Sequence, residues 1–329
     1  MRRREFIRFL GVTALSAWPL IARGQQSSLP VVGFVDVGSV DASASRAAAF
    51  RKGLNEAGYT EGQNVMVEYH WLDGRYDRAA AVMADLVSRQ VTVIATPVTG
   101  TALAAQAATK TIPIVFGSGD DPVQLGLVAS LARPGGNTTG INMFAMEVIA
   151  KRLRLLHDLV PKATRVAVLV NPANAPSAQA TLREVREAAP TIGLQVQVIN
   201  AATVSEIDAA FATFASRERP DALFVAPDTF FTSRRVQLAT LTARDKIPAV
   251  YAVRDIVAVG GLMSYGVDLA AIGHEVGVYT GKILRGAKPA DLPVQQSTKF
   301  NFAINLQTAR ALGIEVPSGL LSIADEVIE

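Results

Sequence analysis

Cysteine is absent from all 329 residues. Thiol catalysis, iron–sulfur chemistry and disulfide cross-links are excluded with it, and so is a lipid-modified cysteine tethering an exported chain. Histidine is scarce. His70, His157 and His274 lie far apart and lack the spacing of metal ligands; His157 and His274 fall within helical patterns and read as solvated. There is no G-x-S-x-G elbow, no Walker loop and no G-x-G-x-x-G after the first expected strand. No enzyme, no cofactor and no metal are therefore expected. Beyond residue 24 no apolar stretch is long enough to span a bilayer.

An excess of charge is missing too, once the amino terminus is set apart. Residues 1–24 hold five arginines and one glutamate, which leaves 27 basic and 28 acidic residues and a formal net charge of −1. Bulk electrostatics gives no reason to expect nucleic-acid binding. The amino-terminal segment itself reads as an export signal. It has a basic start, a charge-free apolar stretch at 9–21, and small residues at Ala22 and Gly24. Arg3-Arg4-x-Phe6-Ile7 resembles the twin-arginine signal. Thirteen helical residues rise only about 20 Å, short of the roughly 30 Å hydrocarbon core, so a cleaved signal is expected rather than an anchor. The mature protein is expected free in a periplasm.

Short apolar, β-branched runs do recur, about every 20–35 residues. They fall at 31–37, 65–71, 91–95, 112–116, 138–143, 165–170, 194–199, 222–226, 248–253 and 261–265. Several lack alternation, as parallel strands covered on both faces do. Helical stripes lie between them: Ala79, Val82, Met83, Leu86 and Val87; Ile149, Leu153, Leu156 and Val160; Ile207, Ala210, Phe211 and Phe214. Strand alternating with helix predicts parallel α/β architecture. The pattern splits into two similar halves, 30–142 and 164–252. A helical segment at 269–285, a strand near 297–305 and a helix near 306–312 are left over, so the chain is expected to cross between two lobes more than once.

Ligands of open parallel sheets bind beyond the carboxyl ends of the strands, which directs attention to the residues that follow each run. After the first come Asp36 to Ser39. After the third, Thr99-Gly100-Thr101 opens an Ala-rich helix whose free N–H groups suit an anion. After the fourth come Ser118, Asp120 and Asp121-Pro122. Asp121 before proline reads as a helix cap, and Asp120 either as a cap or as a partner for an ammonium group. In the second half Asn171 and Asn174 follow one run, and Asp228, Phe230 and Phe231 another. Asp228 is a cap or a ligand carboxylate; the phenylalanines are core or a pocket wall. Tyr251 and Tyr265, at run ends, are core residues or rings that stack on a planar solute.

A set of longer motifs runs through the chain. They include Gly53-Leu54-Asn55-Glu56-Ala57-Gly58-Tyr59, Thr111-Ile112-Pro113-Ile114-Val115-Phe116, Ser130-Leu131-Ala132-Arg133-Pro134-Gly135-Gly136-Asn137-Thr138-Thr139-Gly140, Gly260-Gly261-Leu262-Met263-Ser264-Tyr265-Gly266, and the ending Ala324-Asp325-Glu326-Val327-Ile328-Glu329. Together they resemble the bacterial ABC-transporter substrate-binding proteins, in the group with tryptophan- and tyrosine-binding members. The resemblance covers nearly the whole chain. It implies a type I periplasmic-binding fold: two Rossmann-like α/β lobes with parallel sheets, joined by a three-segment hinge. Lobe 1 would comprise 30–142 and 254–290, and lobe 2 143–253 and 291–329. It further implies a ligand held between the lobes and handed to ABC permease and ATPase subunits, and does not fix which ligand; from the residues at the strand ends a small amino acid-like or carboxylate solute is expected, bound by a monomer. Thr99, Gly100, Thr101 and Ser118 would take the anionic end, Asp120, Asn171 and Asp228 the polar and cationic end, and Phe230, Tyr251 or Tyr265 the side chain. An exported partner of a membrane receptor, or an exported enzyme on this scaffold, is the alternative.

Because Ala22-Arg23-Gly24 ends the export segment, the mature protein should begin near Ser27. Amino-terminal sequencing of the exported protein checks this; a start beyond residue 35, or recovery only in membranes, would rule it out.

Overall fold

The computed structural model describes residues 29–143, 148–214, 219–297 and 300–329; the export segment lies outside them. Thirteen strands among the described residues form two sheets. In chain order they are β1 Val31–Asp36, β2 Met66–Trp71, β3 Val93–Thr96, β4 Ile114–Ser118, β5 Thr138–Asn142, β6 Arg165–Val170, β7 Gln195–Asn200, β8 Ala222–Val225, β9 Ala249–Tyr251, β10 Met263–Val267, β11 Gln295–Gln296, β12 Phe300–Asn305 and β13 Glu326–Ile328. The first sheet has the order β11-β5-β4-β3-β1-β2, the second β13-β12-β10-β9-β8-β6-β7. Every pairing is parallel except β10 with β12.

Helices cover both faces of each sheet, which is why the central strands are apolar in succession rather than in alternation. In β1, Val32 and Phe34 enter one core while Val35 enters the core on the opposite face. In β6, Val166, Val168 and Val170 face one core while Ala167 and Leu169 face another. Phe34, fully buried, packs on Phe50 of the helix Val40–Glu56 with ring centroids 4.8 Å apart. Burial of one such side chain stabilises by about 1.5–3 kcal/mol.

The chain crosses between sheets three times: from β5 to the helix Ile149–Leu159, from β10 to the helix Leu269–Leu284, and from β11 to β12. Two segments depart from the division expected from sequence. Residues 254–267 end in β10, which sits in the second sheet between β9 and β12, so the second crossing follows Val267 instead of preceding residue 254. Residues 291–296 end in β11, which pairs with β5 in the first sheet. The tail, with no expected structure, forms β13 beside β12. A strand's own residues set its two faces but not its sheet, and two or three residues make no pattern to read.

The helix Leu269–Leu284 packs along the helix Val40–Glu56 on the first sheet, and the two approach backbone to backbone. A Cβ on Gly277 would lie 2.1 Å from the Phe50 carbonyl oxygen, and one on Gly53 2.0 Å from that of His274. In an ordinary helix Gly→Ala gains about 1 kcal/mol. Here Gly277→Ala should lose about 1–3 kcal/mol, because the helices must separate. Urea denaturation checks this, and a variant as stable as wild type would contradict the close crossing.

Candidate functional site

The carboxyl ends of both sheets border one cavity, with β1 and β3 adjacent in one sheet and β6 and β8 in the other. These are the points where strand order reverses and loops diverge, so a crevice forms there. Its water-sized space is ≈ 90 Å³.

In the first lobe, Asp36 at the end of β1 accepts from Arg46 Nε at 2.7 Å and Nη2 at 2.9 Å, from Ser43 Oγ at 3.1 Å and from the Gly38 N–H at 2.8 Å. Arg46 borders the cavity but is already neutralised by this bidentate, buried pairing. Thr99 Oγ1 meets Ser118 Oγ at 3.1 Å and accepts the Gly119 N–H at 3.2 Å. Ser118 Oγ also accepts the Asp120 N–H at 3.2 Å. These bonds turn the chain after β4 so that Asp120 borders the cavity, 7% exposed, with Oδ1 lacking any protein partner. Burial, foremost, and the charge of Asp228 push its carboxyl up; a Thr99 hydrogen bond pulls the other way.

Asp228 sits between the lobes. Its Oδ1 accepts the Phe230 N–H at 2.8 Å and Asn171 Nδ2 at 3.0 Å; its Oδ2 accepts Asn174 Nδ2 at 2.8 Å and the Tyr76 hydroxyl, from the first lobe, at 3.2 Å. It is thus both a helix cap and a cleft carboxylate. Burial raises its carboxyl above the usual value while four hydrogen bonds oppose the shift. Among the described residues neither Asp120 nor Asp228 has an ion-pair partner.

The other expected residues divide sharply. Thr99 borders the cavity; Thr101 points into the lobe, donating to the Val98 carbonyl at 2.9 Å and pairing with Thr96. Gly100 makes room for Tyr76, since a Cβ there would lie 2.9 Å from its ring. Asn171 holds Asp228 without itself bordering the cavity. Phe230 is buried in the second lobe's core and abuts Gly74 of the first. Tyr251 is wholly buried with its hydroxyl 3.0 Å from that of Thr242, and Tyr265 stacks on Phe300 at 6.0 Å. Neither tyrosine borders the cavity. Both lie on strands, where the residue before the turn still points into a core.

Several bordering residues escaped the sequence reading, Arg46, Ser177, Tyr76 and Arg152 among them. Tyr76 follows β2 in a 3₁₀ turn, and the loop after β2 obeys the same carboxyl-edge rule as the loops that were considered. Arg152 lies beside the apolar stripe of the helix Ile149–Leu159 and is 1% exposed. An arginine next to the buried face of a helix was the available signal.

A pair of α/β lobes closing on one polar cleft defines a ligand-binding protein of the type I periplasmic-binding fold. The chain belongs to the ABC transporter substrate-binding protein family, whose model matches residues 28–328. It is similar to the tyrosine-binding protein of Clostridioides difficile (strain R20291), with 28% identity over 266 residues, 81% of this chain and 76% of the relative. It also resembles a Streptococcus pneumonia ABC domain in complex with L-Trp (TM-score 0.80, 26% identity, 92% of this chain and 100% of that one). The ligand-free, open structure of a substrate-binding protein with adhesive properties from Clostridium difficile matches at a TM-score of 0.63, with 26% identity and coverages of 91% and 99%. At equal identity the poorer match is the open one, in keeping with lobes that here touch through Tyr76 and Asp228.

Raised carboxyl values make the ligand-free protein sensitive to pH. A carboxyl whose folded value exceeds its unfolded one binds its proton more tightly when folded, so stability is highest below the unfolded value and falls as pH rises through the folded one. Melting temperature should therefore decline with rising pH just above the ordinary aspartate value of 3.8. An Asp120→Asn, Asp228→Asn double variant should lose that component; parallel wild-type and variant curves would contradict it.

Proposed function

We propose that this chain captures an amino acid-like solute between its lobes, outside the cytoplasmic membrane, and delivers it to the permease and ATPase subunits of an ABC importer. The observation that carries the reading is the pair of buried-edge carboxylates, Asp120 from one lobe and Asp228 from the other, bordering one cavity, neither with an ion-pair partner among the described residues. An ammonium group placed there would satisfy both and would bridge the lobes. A solute that binds both lobes at once favours the closed arrangement over the open one by its extra contacts. Family membership and the amino acids named for the relatives agree with this chemistry. Export rests on the signal at residues 1–24, and among the described residues no helix is long and apolar enough to cross a membrane.

The solute's side chain meets Tyr76 in this reading, not Tyr251 or Tyr265. A cavity of ≈ 90 Å³ is smaller than the ~150 Å³ apolar cavity that admits benzene. A small amino acid fits with Tyr76 in place; an aromatic one requires its ring to swing aside.

A thermal-shift screen of residues 29–329 against the twenty amino acids identifies the solute, since a ligand at about 100 times its Kd adds roughly 2.7 kcal/mol. Asp228→Asn keeps an oxygen for the Phe230 N–H and Asn171 but replaces the acceptor of Asn174 and Tyr76 by an amide NH2 group, along with removing the charge. It should weaken that amino acid by at least about 30-fold, with the melting temperature of the free protein measured alongside to separate lost affinity from lost stability. An unchanged dissociation constant would exclude Asp228 as the ammonium partner.

A further inference from the structure

Arg152 borders the cavity opposite in character to the two aspartates. Its side chain is 1% exposed, yet the described residues give it one hydrogen bond: Nε donates to the Tyr265 carbonyl at 2.6 Å. Nη1 has no partner. Among the described residues no carboxylate lies within ion-pair distance, and the guanidinium carbon lies 5.5 Å from the centre of the Phe224 ring. Burial pushes its pKa down to about 9. Met143, Val267 and Leu269 border the cavity with it, so water is a poor substitute for a counter-ion.

The same cavity shows how this fold treats a permanent guanidinium. Arg46, 4% exposed, is held by both oxygens of Asp36 and by Ser43 Oγ at 3.2 Å. A buried cation left without such a partner is strongly destabilising, and five N–H donors cannot be met by one carbonyl. Arg152 is an unfinished site at the border of the cavity.

The helix start at Thr99 is a poorer place for a ligand's anion than the sequence suggested. Thr99 Oγ1 already serves Gly119 and Ser118, and the Asp120 carboxylate stands beside it. A second anion there would face that charge.

We infer that Arg152 is the anchor for a carboxylate on the solute, so that the cleft selects a dipolar molecule: ammonium toward Asp228 and Asp120, carboxylate toward Arg152. The inference rests on the amino-acid reading for its ammonium half alone. The anchor lies on the helix that follows the first crossing between lobes, so carboxylate capture tightens the second lobe at its junction with the first.

Calorimetric titration of residues 29–329 with matched probes tests this. The probes are L-tyrosine, tyramine and 3-(4-hydroxyphenyl)propionate, with L-tryptophan, tryptamine and indole-3-propionate as a second set. Wild type should bind an amino acid at least about 30-fold more tightly than its decarboxylated amine, and Arg152→Gln should erase that preference while leaving amine binding within about threefold. Arg152→Lys, which keeps charge but loses the planar fork, should recover part of the preference; it also serves if Arg152→Gln does not fold. Equal binding of amine and amino acid by wild type, or an undiminished preference in Arg152→Gln, overturns the anchor and leaves the amino-acid reading intact. Arg152-dependent binding of the propionates with no binding of either amino acid keeps the anchor and overturns the ammonium half. Failure of all six probes overturns the anchor as drawn.

Discussion

Asp228 accepts hydrogen bonds from Asn171 and Asn174 in its own lobe and from Tyr76 in the other. A carboxylate so placed is costly when buried without a cation and inexpensive when one arrives. In the proposed function that imbalance ties the two lobes to a ligand. In the free protein the Tyr76 hydroxyl is a neutral substitute at the Asp228 oxygen, good enough to hold the lobes in contact but unable to cancel the charge. Burial and the neighbouring Asp228 charge raise the Tyr76 phenol well above its ordinary value, so it stays a donor throughout the physiological range.

The same logic runs through the rest of the cavity. Arg46 and Asp36 satisfy each other and form a fixed wall, whereas Asp120 and Arg152 are each left with an unpartnered atom. Charges that the fold pairs internally shape the site, and those it leaves open define what must enter. In the proposed reading a neutral apolar solute would leave them unpaired, so the cleft would select by the cost of the wrong ligand as much as by attraction to the right one.

This site depends on a rigid frame. Two sheets covered on both faces hold the loops beyond β3, β4, β6 and β8, and the close backbone crossing at Gly53 and Gly277 locks the helix Leu269–Leu284 onto the first lobe. The chain passes between lobes at three places, and each lobe keeps its own cores. Arg254 and Glu326, 2.5 Å apart, pair within the second lobe near the second crossing, at an exposed position where the bond adds little.

Much of this was legible from local pattern. Apolar runs of five to seven residues located ten of the thirteen strands to within two residues, because a strand buried on both faces must be apolar throughout. The carboxyl-edge rule led to Thr99, Ser118, Asp120, Asn171 and Asp228, all of which lie at or just beyond strand ends, since strand polarity decides where loops open. Capping chemistry marked Asp228, and its Oδ1 does cap the Phe230 N–H. What local pattern could not supply was any relation between distant parts. Tyr76 meets Asp228 across 152 residues, Arg152 becomes buried only when β10 and the helix Ile149–Leu159 come together, and β10 and β11 go to their sheets by pairing partners that their own side chains do not specify. Tyr251 and Tyr265 carry the composition of a ligand-stacking ring, yet a strand's alternation turned both toward cores. Residue type and spacing determine which faces are apolar and which loops are polar; which of the polar groups end up facing one another is decided by how two lobes meet, a matter of crossings and closure that exists only in the assembled chain.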